Sequence, residues 1–144
     1  MSYFPETMPG VVPNMDDHEF WRFCNERSLH FQSCALCGRL RHPPNPMCAN
    51  CQSTDVIWVE APERAEVYTY TVVHHASHPA VEGRLPYVVA VVTFPGLDGV
   101  KLVTNIVDIA PADVRIGMPL SIAWDRISDD MHVPRFRPAG KESA

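Results

Sequence analysis

From Ala65 onward this chain alternates short apolar runs with turn residues, the pattern of β-strands. Ala65–His75 (AEVYTYTVVHH) is rich in β-branched and aromatic residues and predicts a first strand. Pro86–Phe94 (PYVVAVVTF) predicts a second, and its unbroken apolar run points to burial on both faces. Pro95–Gly99 reads as a turn hairpinning the second strand to a third, Val100–Val107. Pro111–Ile116 reads as one helical turn, opened by proline and ended by Gly117. Pro119–Ser128 predicts a fourth strand, Asp129-Asp130 a turn, and His132–Phe136 a short fifth strand. Five strands with a helical turn between the third and fourth is the order of an OB-fold, a five-stranded Greek-key barrel. The inward set is taken as Val67, Tyr70, Val72, Val89, Val91, Val103, Ile106, Ile122 and Trp124, with the face of each strand open by one residue.

Before the strands, helical spacing occurs over residues 16–32. Phe20, Trp21, Phe23 and Cys24 share one apolar face of a helix that Asp16 or Asp17 caps and that runs to about Leu29. A face of this kind needs cover, from the segments that follow or from another protein. Cys24 on that face reads as core packing. Residues 1–15 carry three prolines and no periodicity, and read as an extended, flexible arm. Residues 139–144 read as a disordered tail.

Residues 33–60 are decided by four cysteines. Cys34-Ala35-Leu36-Cys37 is followed ten residues later by Cys48-Ala49-Asn50-Cys51. Two C-x2-C pairs at this distance have the ligand spacing of a closed tetrahedral four-cysteine site. Gly38 suits the backbone of the first knuckle; Gln52 in the matching place of the second is less relaxed. Pro43, Pro44 and Pro46 exclude a helix between the knuckles. Four thiolates fill the coordination sphere and leave no open position for water, so the site reads as structural. Zinc is the default metal, and iron takes the same ligands.

Composition narrows the function classes. The formal net charge is −5. Lys101 and Lys141 are the lysines, and no basic stripe runs along the chain. Phosphate backbones are held by clustered Lys and Arg, so neither nucleic acid nor an anionic membrane is an expected partner. The longest apolar stretch, Val88–Val92, is far too short to span a bilayer. The Met1 segment has no basic region followed by an apolar run, and the expectation is cytoplasmic residence with reduced cysteines.

The chain shows no Gly-x-Ser-x-Gly, P-loop or Gly-x-Gly-x-x-Gly motif. His74-His75-Ala76-Ser77-His78 is the most suggestive cluster. On a strand His74 and His75 point to opposite faces, and His78 lies in the loop beyond. A polar loop with one buried, hydrogen-bonded histidine is preferred to a proton-transfer or metal role. Arg84, Arg115, Arg126 and Arg135 could meet phosphates, as in a freestanding acyl-CoA or acyl-carrier binder, but scattered arginines are more often ion-pair partners. A zinc-ribbon OB module that stacks bases is a further alternative; Tyr68, Tyr70 and Tyr87 could stack, but the groove would lack Lys and Arg. No residue is assigned a catalytic role.

Several segments together carry a family resemblance. They are Phe20-Trp21, the four cysteines with Gly38 and Pro43-Pro44, Trp58, Val67–His74 and Pro86-Tyr87, then Asn105, Asp113–Pro119 and Phe136-Arg137-Pro138. Over about residues 16–138 the chain resembles acyl-CoA-associated OB-fold proteins with an N-terminal rubredoxin-like zinc ribbon, long catalogued as a domain of unknown function. It departs in the stretch Pro62–Glu66, where the family usually has a glycine turn, and at Cys48-Ala49-Asn50-Cys51-Gln52, where Cys-Pro-x-Cys-Gly is common. The resemblance implies an accessory subunit of a thiolase-like enzyme, arranged as a heterotetramer around a thiolase dimer. The substrate would be a CoA thioester, the leading reaction retro-aldol cleavage of a steroid-type β-hydroxyacyl-CoA, and the catalytic residues would sit on the partner. Contacts to partner or substrate are expected from Phe20, Trp21, Phe23, His74, His75, His78, Arg84, Phe136 and Arg137.

Overall fold

The structure, a computed structural model, describes residues 2–140. Met1 and most of the expected tail, residues 141–144, lie outside the described residues. Helix α1 spans His18–Asn25 with Asp17 at its N-cap, so it starts where its spacing predicts and ends short of Leu29. The turn that leads into it is fixed by Asn14 and Asp17. Asn14 Oδ1 accepts the N–H groups of Asp16 and Asp17, and Asp17 Oδ1 accepts that of Asn14 at 2.7 Å. This is the reciprocal arrangement of a capping box. The helix stops because Arg27 turns left-handed (φ 57), while Ser28 N–H bonds Phe23 O and Arg27 N–H bonds Cys24 O. Those two bonds are a Schellman closure, here without the usual glycine, so the sequence hid it.

The ribbon is a three-stranded sheet of β1 (His30–Cys34), β2 (Leu40–Arg41) and β3 (Val56–Glu60), in the order β2-β1-β3. The barrel is closed, with β4 (Arg64–Val73), β5 (Tyr87–Phe94), β6 (Leu97–Ile106), β7 (Pro119–Ser128) and β8 (Met131–Pro138) in the order β4-β5-β6-β8-β7. A 3-10 turn at Pro111–Asp113 separates β6 from β7. β6 and β8 meet in parallel through Ile106 and Phe136, and β4 pairs β7 to close the ring. This is the OB-fold connectivity expected from the strand order. The hairpin is tighter than the Pro95–Gly99 turn predicts: Phe94 pairs Leu97 across Pro95-Gly96, with Gly96 at φ 84.

One core serves helix, ribbon and barrel. Phe20, Cys24, Leu29 and Phe31 join Val67, Val88, Ala90, Val92, Phe94, Val100, Leu102, Ile106, Leu120 and Phe136 in one buried cluster. Aromatic rings connect the parts: Phe20 to Phe31 at 6.4 Å, Phe31 to Phe94 at 5.1 Å, Phe94 to Phe136 at 5.9 Å. Val67 and Ile106 are inward as expected. The parity of β5 is the opposite of that expected, and in β6 Val103 is misplaced: Val88, Ala90 and Val92 point in, Val89 and Val91 are half-buried on the outer face, and Val103 is 68% exposed. Tyr70, Val72, Ile122 and Trp124 are half-buried rather than central. A run of Val-Val-Ala-Val-Val has no alternation to fix a face, and the register shift at Val67/Thr69 switches parity within β4.

The N-terminal segment lies against the barrel. Phe4 packs edge-on to Tyr87 at 5.2 Å, and the Tyr3 N–H donates to Asp125 Oδ2 at 3.1 Å. Among the described residues no helix is long and apolar enough to cross a membrane.

Candidate metal centre and arginine cavity

The four cysteines converge because the two knuckles are built alike. Gly38 N–H bonds Cys34 O and Gln52 N–H bonds Cys48 O, each at 2.9 Å. Cys34 N–H bonds Arg39 O and Cys48 N–H bonds Ser53 O, again at 2.9 Å. Gly38 (φ 80) and Gln52 (φ 66) occupy the same left-handed position. Only glycine adopts it without a Cβ penalty, so Gln52 carries strain in the second knuckle.

All four Sγ atoms lie within 4.8 Å of one another. Cys34 and Cys51 are 3.5 Å apart and Cys37 and Cys48 3.6 Å. Sulfurs about 2.3 Å from one tetrahedral ion sit roughly 3.8 Å from each other, whereas disulfide sulfurs are about 2.05 Å apart. The cysteines are free thiols in a set that could hold one metal ion. Local dipoles favour thiolates: the Cys37 N–H is the main cause that brings Cys34 down to about 6, against burial, and the Cys51 N–H lowers Cys48. At Cys51 the Ser53 N–H pulls the same way. The crowding Cys34 sulfur, burial, and then Cys37 and Cys48 outweigh it and push that thiol up to about 12. Four thiolates this close need a cation among them. An all-sulfur closed set supplies fold stability rather than an open catalytic position.

The other expected site residues fall into three groups. His74 and His75 are exposed and lie past the end of β4; they form no metal-binding group among the described residues. His78 is half-buried, and its Nδ1 accepts the Ala80 N–H at 3.0 Å, capping a 3-10 turn at Pro79–Arg84. The loop thus holds a hydrogen-bonded histidine, though a half-buried one where a buried one is expected. Phe20 and Phe136 are 3% and 0% exposed and belong to the core, so neither side chain offers a surface to a partner. Phe23 stacks on His30 at 3.8 Å, and Trp21 stands edge-on to Phe20 at 5.1 Å. Both remain half-buried. Arg126 pairs with Asp129, as scattered arginines do, while Arg115 binds the carbonyls of Ala112 and Val114.

Arg84 and Arg137 meet in one cavity, and sequence reasoning did not foresee their neighbours. The cavity holds about 240 Å³ and is lined by Arg84, Arg135, Arg137, Asp108, Asp125 and Trp124, with Tyr3 across it. Arg135 is 8% exposed; its Nε donates to Asp125 Oδ2 at 2.7 Å and its Nη1 to Asn105 Oδ1 at 2.6 Å. Arg137 Nε is 3.1 Å from Asp108 Oδ2, yet the angle makes no hydrogen bond. Arg84 Nε donates to the Tyr3 carbonyl, and its guanidinium lies 4.6 Å over the Tyr3 ring. The signal in the sequence was alternation: in Arg135-Phe136-Arg137, period two turns Phe136 inward and both arginines to the other face.

A four-cysteine ribbon joined to an OB barrel defines the class of protein, and comparison with known proteins identifies the family. Residues 58–125 match the family described as ChsH2, C-terminal OB-fold domain. A DUF35 domain-containing scaffold protein of Methanocaldococcus jannaschii is 34% identical over 112 residues, covering 76% of this chain and 77% of that protein. A solved structure, the Ltp2-ChsH2(DUF35) aldolase, matches with a TM-score of 0.82 and 43% identity, over 90% of this chain and 99% of the other. A probable enoyl-CoA hydratase alpha subunit of Thermomonospora curvata is 46% identical over 131 residues, which is 91% of this chain but 40% of that protein. The 3-oxo-4,17-pregnadiene-20-carboxyl-CoA hydratase alpha subunit of Mycobacterium tuberculosis is 35% identical over 83% of this chain and 37% of its own length. The chain thus spans about two fifths of these hydratase subunits. This chain belongs to the DUF35 family.

Proposed function

We propose that this chain is a non-catalytic accessory subunit of a thiolase-like acyl-CoA enzyme. The reaction of the complex would be retro-aldol cleavage of a steroid-type β-hydroxyacyl-CoA. The observation that carries the reading is the match to the aldolase structure, where this chain covers 99% of its counterpart. The hydratase subunits share only the same module, and most of their length lies outside the match. A retro-aldol step removes the β-hydroxyl proton, breaks the Cα–Cβ bond, forms the carbonyl and releases a thioester enolate for protonation. It needs a base and an enolate-stabilising site, both assigned here to the partner. This chain would support the partner's fold and help shape its acyl-CoA tunnel, in a heterotetramer around a thiolase dimer. Cys34, Cys37, Cys48 and Cys51 would hold one structural Zn2+, their closed sulfur set being the support for that assignment.

The test is co-expression with a thiolase-like protein, co-purification, and assay on β-hydroxyacyl-CoA substrates. Stable co-elution and release of a carbonyl product with a shortened acyl-CoA are expected. Turnover by the isolated chain, or a chain that stays monomeric beside that protein at micromolar concentration, would defeat the proposal.

A further inference from the structure

We infer that the arginine cavity on the β7–β8 face is a socket for a single carboxylate, presented by an acidic side chain of the partner subunit. This rests on the accessory-subunit reading for who supplies the carboxylate, not for the chemistry of the socket. The chain is acidic overall, with a net charge of −5. Here, however, three guanidinium groups converge against the carboxylates of Asp108 and Asp125, leaving one positive charge in excess. One excess charge matches a monoanion. A dianionic phosphate would be left with uncompensated negative charge beside two aspartates.

The donors are also in place. Asp125 is occupied, accepting both Arg135 Nε and the Tyr3 N–H, which fixes Arg135 as the back wall. Arg84 spends its Nε on the Tyr3 carbonyl, and Arg137 Nε has no hydrogen bond. Among the described residues neither Arg84 nor Arg137 gives its terminal Nη groups to any acceptor of the chain as a hydrogen bond. Guanidinium forks of this kind take a carboxylate with two parallel N–H···O bonds. A volume of about 240 Å³ admits one such side chain, and Trp124 and Val107 provide apolar wall for its methylenes.

The test uses the full chain, 15N-labelled, titrated with N-acetyl-glutamate amide while NMR follows the Trp124 indole and arginine Nε signals. Saturable shifts confined to this cavity are expected. Arg137→Gln and Arg84→Gln, both at solvent-reachable positions, should each weaken binding about tenfold without unfolding the protein. The neutral N-acetyl-glutamine amide should give no shift. Equal shifts with the neutral probe, unchanged affinity in both variants, or inorganic phosphate binding tenfold tighter than the carboxylate would overturn the socket. Because the measurement needs no partner, failure of the thiolase-like assembly would show separately, in co-purification.

Discussion

Phe136→Ala tests whether β8 closes the core or forms an outer contact. Phe136 is 0% exposed, pairs with Ile106 where β6 meets β8, and lies 5.9 Å from Phe94. Losing the buried ring forfeits about 2 kcal/mol of transfer free energy. It leaves a cavity approaching ~100 Å³, worth about 2 kcal/mol more at ~24 cal/mol per Å³. The edge-to-face contact with Phe94 adds roughly 0.5–1 kcal/mol. The total, about 4–5 kcal/mol, is a large share of the 5–15 kcal/mol typical of a domain. A chain of this length should lose on the order of 10–20 °C in Tm. Urea unfolding followed by tryptophan fluorescence and far-UV circular dichroism measures it, with an unchanged m-value indicating that only stability moved. A loss under about 1 kcal/mol together with impaired assembly would refute the core placement and return Phe136 to an interface.

The register of β5 gives a paired prediction: Val92→Asp should abolish folding, because an unpaired buried carboxylate costs several kcal/mol, while Val91→Asp on the outer face should stay folded by circular dichroism. Cys48→Ser should drop bound metal below half an equivalent by elemental analysis and unfold the ribbon, since a structural site's binding energy is folding energy. Gln52→Gly should raise stability by about 0.5–1 kcal/mol in urea titrations by relieving φ 66, and a loss would mean that the Gln52 side chain makes an unseen contact. His42, held down to about 4 by burial with Asp17 opposing, packs against Phe20 at 4.9 Å. The unfolded chain takes up its proton below about 6.5 and the folded chain does not, so this group's contribution is whole above pH 6.5 and shrinks as pH falls toward 4. His42→Phe should flatten the stability profile in that window by up to about 3 kcal/mol, and a parallel profile would count against it.

The sequence carried the architecture and the four-cysteine set, for different reasons. The cysteine spacing has a stereochemical meaning that does not depend on the rest of the fold, so the four cysteines that could hold one ion can be named from the spacing alone. Strand order is legible because Gly and Pro punctuate it whichever face each strand buries. Burial is not legible to the same degree. In β5, apolar residues occupy both parities although one face is buried throughout, and in β4 the bulge at Val67/Thr69 that switches the inward face leaves no mark in local composition. Helix length fails similarly: a left-handed Arg27 ends α1 where a glycine would have announced it.

The same limit applies to the closing segment. Phe136 and Arg137, adjacent in the sequence, are both expected there as contacts to a partner or substrate. In a strand, adjacency is the relation that separates side chains, and period two is the one that unites them. Phe136 therefore belongs with Phe94 and Ile106 in the core, while Arg137 belongs with Arg135. Arg84 joins them only because the 3-10 turn at Pro79–Arg84 comes to the same side of the barrel and binds the Tyr3 carbonyl. No local pattern encodes that meeting, since it depends on barrel closure between β6, β8 and β7. The cavity is thus a product of topology, whereas the metal set is a product of spacing. Disrupting barrel closure should disperse the arginines while leaving the four cysteines together.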